Sequence, residues 1–352
     1  MEEAFQLPLF QEEVSSDQLD ARLWHGSFNA RESSLQQLSP YVGKLKSGMV
    51  RVLLALYSKP GDVVLDPFSG SGVVPLEAAL AERYALGNDL SPYAYVLTRG
   101  KLDAPRNKTV ALQQATVLVE TVEKHAPSVD VSEAPEWVRS FFHPQTLREI
   151  LAAFAILREE KNYFLTACLL GILHHVRPGF LSYPASHLVP YLRKAKYPPE
   201  EFQHMYAYRD LRSRLLAKVK RAYRNPMLPQ HWDDCRGHVW QTNAMTLPMQ
   251  DRTVDTIISS PPYFGALDYA RDNRLRLWFL DCQDWKELDA SLTASAKVYL
   301  PQMTTCLKEM DRVLNPGGYC VLVLGDVEKD GFFPGNGIGE SRFLSSIFMM
   351  GP

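Results

Sequence analysis

A run of four residues, Ser260-Pro261-Pro262-Tyr263, combines side chains and backbone groups that could take part in chemistry. It follows the β-branched segment 254–259, which predicts a buried strand, and proline cannot donate a hydrogen bond to a neighbouring strand. The two prolines therefore predict a rigid loop at the carboxyl end of a strand, where ligands bind in open α/β sheets. An ordinary strand exit is the alternative, since short motifs also occur by chance.

A second segment, Asp66 to Gly72, reads Asp-Pro-Phe-Ser-Gly-Ser-Gly. It follows the apolar residues Val63-Val64-Leu65, which predict a buried strand, and precedes a predicted helix at 73–82. Glycines let the backbone approach a ligand closely, and the N-terminus of a helix offers free N–H groups. The segment therefore predicts a nucleotide-type binding site.

An acidic residue, Asp89, ends the next predicted strand, 85–88, and follows Gly72 by 17 residues. A carboxylate at the tip of the second strand is placed to accept hydrogen bonds from ribose hydroxyls. The alternative for Asp89 is a helix cap before Ser91-Pro92.

The elements that would position these residues alternate between helix and strand in two blocks. Besides the elements already named, the apolar spacing predicts helices at 47–58, 271–280 and 298–314 and a strand at 319–325, preceded by a turn at 315–318. Such alternation predicts an α/β fold.

Between the two blocks the alternation stops, and residues 104–235 predict a helical insert with helices at 110–124, 146–160, 163–176 and 200–223. Its last part carries ten Lys or Arg against three acidic residues, interleaved with tyrosines; the cations are Arg193, Lys194, Lys196, Arg209, Arg212, Arg214, Lys218, Lys220, Arg221 and Arg224. Cations neutralise phosphates and aromatic rings stack on bases, so this mixture fits a nucleic-acid surface. A solvated amphipathic helix is an equal alternative.

Composition narrows the class of protein. A chain of 352 residues with 46% hydrophobic content can bury the core of one large domain or two, and a net charge of −2 excludes a uniformly basic coat. Five cysteines without a Cys-x-x-Cys pair indicate neither a zinc ribbon nor a disulfide framework, and we predict no metal site. No segment is long and apolar enough for a membrane span, and we expect a cytoplasmic protein. We also expect residues 1–39 to form an acidic N-terminal arm that is solvated over residues 1–20.

Taken together, these motifs resemble the amino-methyltransferases that use S-adenosylmethionine to methylate exocyclic amines in DNA. The resemblance rests on Asp66 to Gly72 and on Ser260 to Tyr263, in that order and separated by a large insert, as in the α-group of that family. It implies a Rossmann-like methyltransferase sheet, S-adenosylmethionine as the cofactor, and double-stranded DNA as the partner. The catalytic domain would comprise residues 40–103 and 236–352, and the insert 104–235 would be the target-recognition region.

The same resemblance assigns roles to individual residues. The catalytic residues it implies are Ser260, Pro261, Pro262 and Tyr263, and the cofactor-binding residues are Lys44, Asp66, Phe68, Gly70, Gly72, Asp89 and Asn243. Among these, Lys44 would close over the methionine end of the cofactor, Asp89 would bind the ribose, and Asn243 would contact the adenine.

The residues also fit the chemistry of amine methylation. The lone pair of a nucleobase amine is delocalised into the ring, so the amine is a poor nucleophile. The Ser260 hydroxyl and the Pro261 carbonyl could accept its two hydrogens and favour a tetrahedral nitrogen, while Tyr263 could stack on the flipped base. Methylation of cytosine C5 is disfavoured because it needs a cysteine nucleophile, commonly after proline, and none of the five cysteines follows a proline.

The first residue of the catalytic motif bears on the substrate. In the resembled families, serine at this position usually accompanies cytosine N4 methylation and aspartate or asparagine accompanies adenine N6 methylation, so Ser260 favours cytosine. The alternatives are an adenine N6 enzyme, an RNA or protein N-methyltransferase, and an inactive DNA-binding subunit.

Two features stay open at this point. A restriction-modification partner and a homodimer are both compatible with the sequence. The family's sheet normally continues after the 319–325 strand with an antiparallel hairpin, for which little sequence is left. The N-terminal region could supply the missing strands, the chain could be shortened, or another subunit could cover the edge.

Overall fold

A mixed sheet crosses the computed structural model, which describes residues 12–14, 32–262, 269–292, 296–325 and 345–350. Its strands are β1 (Glu12–Val14), β2 (Val63–Asp66), β3 (Tyr84–Asn88), β4 (Arg236–Trp240), β5 (Val254–Ser259), β6 (Leu314–Gly325) and β7 (Ser345–Met350). The strand order is β1-β7-β6-β5-β2-β3-β4.

Five strands of this sheet, from β6 to β4, are parallel to one another. This arrangement confirms the predicted α/β fold class. Strands β2 and β5 are neighbours, with Leu65 opposite Ile257. Because parallel neighbours end at the same edge of a sheet, the segments that follow Asp66 and Ser259 leave the sheet side by side.

The α-helices of the described residues are α1 (Ser47–Tyr57), α2 (Val73–Leu80), α3 (Pro92–Leu102), α4 (Lys108–His125), α5 (Glu136–Arg139), α6 (Pro144–Glu160), α7 (Tyr163–Leu170), α8 (Leu211–Ala222), α9 (Trp232–Cys235), α10 (Tyr269–Phe279), α11 (Trp285–Leu292) and α12 (Ala296–Val313). None of them is long and apolar enough to cross a lipid bilayer.

Helices cover both faces of the sheet because its strands are apolar on both sides. In β5, Ile257 packs in one apolar cluster and the next residue, Ile258, in another. The cluster around Ile257 contains Met310 and Val313 of α12. The cluster around Ile258 contains residues of α1, α2 and α3 and continues without a break into α6 and α8 of the insert. The insert therefore shares a core with the sheet, and its boundaries at 104 and 235 stay a prediction.

The sheet continues beyond β6 with two antiparallel strands, although the sequence suggested that a hairpin could be missing there. Strand β7 pairs with β6 in the antiparallel direction, and β1 pairs with β7, with Glu13 opposite Phe348. Of the three alternatives left open, a strand from the N-terminal region is the one in the structure. Residues Glu12–Val14 are thus part of the sheet, where a solvated arm was expected. Leu35 and Leu38, also within the predicted arm, are fully buried.

Two predicted helices of the insert are shorter than the apolar spacing suggested. Helix α7 ends at Leu170 instead of 176, because the carbonyls of Ile172 and Leu173 accept hydrogen bonds from the N–H groups of Leu181 and Ser182. Helix α8 begins at Leu211 instead of 200, since the Asp210 side chain caps it by accepting from the Ser213 N–H at 2.8 Å.

The turn predicted at 315–318 is instead an irregularity within β6. Val254 lies opposite Leu314, but Thr256 lies opposite Tyr319, so β6 carries extra residues at this point. Gly317 has a φ of +80°, a conformation that glycine adopts without strain.

Candidate active site

The loop from Asp66 to Gly72 joins β2 to α2 and turns through two left-handed glycines. Gly70 has a φ of +50° and Gly72 a φ of +74°. A Cβ at Gly72 would lie 2.7 Å from the Thr98 Cα, so glycine is needed there for both conformation and space. The Ser69 N–H donates to the carbonyl of Asn88 at 2.9 Å, which ties the loop to the end of β3.

The carboxylate of Asp66 is buried at the start of this loop, with 3% of the residue exposed. Its Oδ1 accepts hydrogen bonds from the Phe68 N–H at 3.1 Å and from the Ser259 hydroxyl at 2.6 Å. Burial raises the pKa of Asp66 to about 7, and these two hydrogen bonds oppose the rise. The side chain therefore changes charge near neutral pH.

The second acidic residue, Asp89, faces the same loop from the end of β3. Its Oδ2 accepts from the Gly70 N–H at 2.8 Å, and its Oδ1 accepts from the Ser91 N–H at 2.9 Å. Burial raises the pKa of Asp89 to about 6. The bond to Ser91 lies just before α3, whose N-cap residue is Ser91 itself, so Asp89 does not occupy the capping position of the alternative prediction, while the bond to Gly70 joins Asp89 to the glycine-rich loop.

The side chain of Asn88, at the end of β3, joins the glycine-rich loop to the segment that follows β4. Asn88 Nδ2 donates to the carbonyls of Pro67 at 3.2 Å and Thr242 at 3.1 Å, and the Thr242 hydroxyl donates to Asn88 Oδ1 at 2.7 Å. These bonds hold the segment after β4 beside the loop. The next residue, Asn243, is exposed, with its Oδ1 accepting from the Met245 N–H at 3.0 Å.

The segment after β5 carries the other motif. Ser260 is half-buried and Pro261 is buried, while Tyr263 lies outside the described residues. The Tyr299 hydroxyl of α12 donates to the Pro262 carbonyl at 2.9 Å. This bond, together with the fixed φ angles of the two prolines, gives the loop a defined position at the edge of the sheet.

A group of aromatic rings lies beside the glycine-rich loop, where a Cβ at Gly70 would come within 3.3 Å of the Tyr41 ring. The Tyr41 ring stacks on that of Tyr93 with centroids 5.8 Å apart, and Tyr269 of α10 lies 6.5 Å from Tyr41. Burial raises the pKa of Tyr41 well above its usual value, with the nearby Asp89 adding to the rise. The Tyr93 hydroxyl donates to the Pro40 carbonyl at 2.5 Å, which holds this segment in place.

A single cavity is lined by residues of both motifs. The predicted site residues that line it are Lys44, Asp66, Phe68, Gly70, Asp89, Asn243, Ser260 and Pro262. Gly72 and Pro261 support the two loops without lining the cavity.

Sequence reasoning missed several other lining residues, among them Tyr41, Ser71, Tyr269, Tyr299, Met303 and Cys306. Tyr41 lies three residues before Lys44, in a segment that the sequence did indicate. Tyr299, Met303 and Cys306 are spaced as one face of a helix, but only the fold turns that face toward the cavity.

The comparison with protein families agrees with the first motif. Residues 13–99 match the family model N6_N4_Mtase, described as a DNA methylase. The matched segment contains Asp66 to Gly72 and Asp89 and ends before Ser260. The match spans less than half of the chain, so it records a similarity of this segment to the DNA methylase family.

Comparisons with individual proteins add little. Two solved structures of the rRNA methyltransferase aviRa from Streptomyces viridochromogenes are similar at 12% and 13% sequence identity, with TM-scores of 0.35 and 0.33. Each comparison covers 94% of this chain and 96% of that chain. TM-scores this low carry no argument about activity. No curated protein matches the chain.

Proposed function

We propose that the protein is a site-specific DNA methyltransferase that transfers a methyl group from S-adenosylmethionine to the exocyclic amine of a flipped base, with cytosine N4 as the target atom. One observation carries the proposal: the Asp66–Gly72 loop, Asp89 and Ser260 line the same cavity at the carboxyl edge of a parallel sheet. In open α/β sheets this edge is where nucleotide-like ligands bind.

The cavity fits an adenosyl cofactor in its chemistry. Asp89 offers a carboxylate for ribose hydroxyls, and Asp66 adds a second acidic group beside the glycine-rich loop. The Ser71 hydroxyl is buried in the same loop and has no hydrogen-bond partner within the described part of the chain, so a ligand can supply one. When bound, S-adenosylmethionine would supply an electrophilic methyl group.

In the proposed reaction, the loop that begins at Ser260, which we call the catalytic loop, binds and orients the amine. The Ser260 hydroxyl and the Pro261 carbonyl would accept hydrogen bonds from the two amine N–H groups, which makes the nitrogen lone pair available for attack on the methyl carbon, with the thioether of the cofactor as the leaving group. One of the two amine protons then leaves the methylated nitrogen for water. Tyr299 holds the Pro262 carbonyl at 2.9 Å, so the loop is positioned before the base arrives. Tyr263 would stack on the flipped base, as the sequence predicted.

A product analysis tests this function. The purified protein is incubated with methyl-deuterated S-adenosylmethionine and, in separate reactions, with unmethylated bacterial DNA, bacterial RNA or bacterial protein, and the digested products are identified by mass spectrometry. We expect labelled N4-methylcytosine. Labelled N6-methyladenine as the sole product would contradict the base assigned from Ser260. No labelled DNA nucleoside, with label found instead on RNA guanine or protein glutamine, would overturn the DNA substrate.

The alternative of an inactive DNA-binding subunit has a separate test. Calorimetric titration with S-adenosylmethionine is expected to give saturable binding to the folded chain. A folded protein without such binding would contradict the enzyme and favour the non-enzymatic alternative.

A further inference from the structure

The ten cations of the basic segment do not form one surface. Four of them are engaged within the protein: Arg209 donates to the Phe180 and Ser182 carbonyls, Lys218 donates to the Gln37 carbonyl, and Arg212 and Arg214 pair with Glu123 and Asp210. The remaining six fall into two groups. One group is Arg193, Lys194 and Lys196; the other is Lys220, Arg221 and Arg224, at the end of α8.

The first group belongs to a short looped segment, residues 185–196, which we call the basic loop. Its base is closed by an antiparallel bridge between Ala185 and Leu192 and by a hydrogen bond of 3.0 Å from the Ser186 N–H to the Tyr191 carbonyl. The Ser186 carbonyl lies 2.6 Å from Nδ1 of the buried His174. The basic loop is therefore fixed at its base.

The basic loop exposes apolar side chains as well as cations. Leu188 is 38% exposed and Tyr191 is 50% exposed. The Arg193 guanidinium lies over the Tyr191 ring, 6.0 Å from its centroid, and its Nε is buried without a hydrogen-bond partner among the described residues. Among the residues that the structure describes, no carboxylate lies within ion-pair distance of Arg193, Lys194 or Lys196.

The basic loop is attached to the helix that borders the cavity. Arg274 of α10 donates to the Pro190 carbonyl at 2.6 Å, and the fully buried Arg276 donates to the His187 carbonyl at 3.1 Å. Helix α10 begins at Tyr269, which lines the cavity. With a rise of about 1.5 Å per residue, Arg274 lies only about 7.5 Å along the helix from Tyr269.

The second group of cations is attached elsewhere. The Lys218 ammonium on α8 donates to Gln37 at 2.7 Å, and the Asn225 carbonyl, just beyond the helix, accepts from the Ser34 N–H at 2.8 Å. These contacts fix the end of α8 to the 3-10 helix at Ser34–Gln37. Lys220, Arg221 and Arg224 are exposed there and provide a matched set of three positive charges.

We infer that the basic loop is the surface that holds duplex DNA beside the target base, with Arg193, Lys194 and Lys196 on phosphates and Tyr191 and Leu188 against the bases. This inference rests on the proposed function. Phosphates complement three cations that have no carboxylate partner among the described residues, and proteins that unstack DNA insert apolar side chains between bases. Extruding a base leaves such a gap in the duplex.

Salt-dependent binding tests the role of the cations. A fluorescent mixed-sequence duplex of about 30 base pairs is titrated between about 0.1 and 0.4 M KCl with two triple variants. The loop variant changes Arg193, Lys194 and Lys196 to Ala. The control variant changes Lys220, Arg221 and Arg224 to Ala. Each released phosphate contact changes the slope of log K against log salt by about 0.9, so we expect the loop variant to lose about 2 to 3 units of slope and the control less than about 1.

The role of the Tyr191 ring is tested by methyl transfer to unmethylated bacterial DNA. Tyr191→Ala should slow transfer by about 5-fold to 100-fold, as for the loss of one stacking contact, while Tyr191→Phe should keep the wild-type rate. Neither variant should change the affinity for S-adenosylmethionine, and melting curves check the fold.

The outcomes separate this inference from the proposed function. If the wild-type protein methylates DNA and the loop variants bind and react as it does, the inference is overturned and the function stands. If the wild-type protein binds no S-adenosylmethionine, the function fails, while the duplex titration still decides whether the basic loop binds DNA. Tighter binding to duplex RNA of the same sequence, through the same three cations, would overturn DNA as the partner.

Discussion

The hydroxyl of Ser259 donates a hydrogen bond of 2.6 Å to Oδ1 of Asp66. The two residues are 193 positions apart in sequence, yet they end neighbouring strands, and Asp66 and the residue after Ser259, Ser260, line one cavity. Burial raises the pKa of Asp66 to about 7, and the hydrogen bond from Ser259 opposes that rise.

The affinity for S-adenosylmethionine should therefore depend on pH. Asp66 and Asp89 are neutral below their pKa values of about 7 and about 6 and carry negative charge above them. The cofactor is a sulfonium cation, so we expect its affinity to rise as the pH rises through this range. Calorimetric titration at several pH values measures the profile.

Ser259→Ala provides the control for that profile. Removing the hydrogen bond raises the pKa of Asp66 further, so the rise in affinity should move to higher pH. Asp66→Asn should remove the part of the rise that is due to Asp66. A wild-type affinity that falls across the same range would contradict the charge assigned to the two carboxyl groups.

Asp89 should contribute more to cofactor binding than a comparable carboxylate outside the cavity. Asp89→Asn keeps the shape of the side chain but loses its charge, and hydrogen bonds to charged groups contribute about 1.5 to 3 kcal/mol, so the affinity should fall about 10-fold to 100-fold. Asp103 is the control, since burial also raises its pKa but the residue does not line the cavity. Its carboxylate pairs with Arg99 at a distance of 2.8 Å. Equal losses of affinity in Asp89→Asn and Asp103→Asn would count against a direct contact with the cofactor.

Gly72 should be intolerant of a side chain. Alanine in a left-handed conformation costs about 1 to 2 kcal/mol, and overpacking costs about 1 to 3 kcal/mol more. Gly61 is the matched control, because its φ is +89° and a Cβ there would meet nothing within 4 Å. Urea denaturation should give a larger loss of unfolding free energy for Gly72→Ala than for Gly61→Ala. Equal losses would show that the contact with Thr98 is relieved at little cost.

Tyr299→Phe should slow catalysis without weakening cofactor binding. The ring that lines the cavity is kept, but the hydrogen bond to the Pro262 carbonyl is lost and the catalytic loop is less well positioned. We expect kcat to fall about 10-fold, given that small misplacements of reacting groups are costly. Single-turnover methyl transfer measures the effect, and an unchanged rate would exclude Tyr299 as a positioning residue.

The main features of the cavity could be predicted because they are local in sequence. A strand, a glycine-rich turn and a helix N-terminus occur together within residues 63–82, and Asp89 ends the following strand. Proline after β5 likewise predicts a rigid loop. Each of these signals depends only on neighbouring residues, so tertiary packing does not change it.

Other features depend on contacts between distant parts of the chain and could not be predicted. The bond between Ser259 and Asp66 requires β2 and β5 to be neighbours. The β-strand at Glu12–Val14 forms only by pairing with β7, and its acidic surroundings suggested a solvated arm. Residues 171–176 have helical apolar spacing, but the carbonyls of Ile172 and Leu173 accept hydrogen bonds from the N–H groups of Leu181 and Ser182, outside any helix. The basic segment also divides into engaged and exposed cations only in the folded chain.

The most direct test of the account is methyl transfer by Ser260→Ala, measured together with cofactor binding. If the Ser260 hydroxyl accepts an amine hydrogen of the target base, transfer to unmethylated DNA should fall about 100-fold or more, as for loss of one preorganised polar group. The affinity for S-adenosylmethionine should be unchanged, and Ser140→Ala, in the insert, should react as the wild-type protein does. Wild-type turnover in Ser260→Ala would contradict the assignment of this loop as the catalytic site.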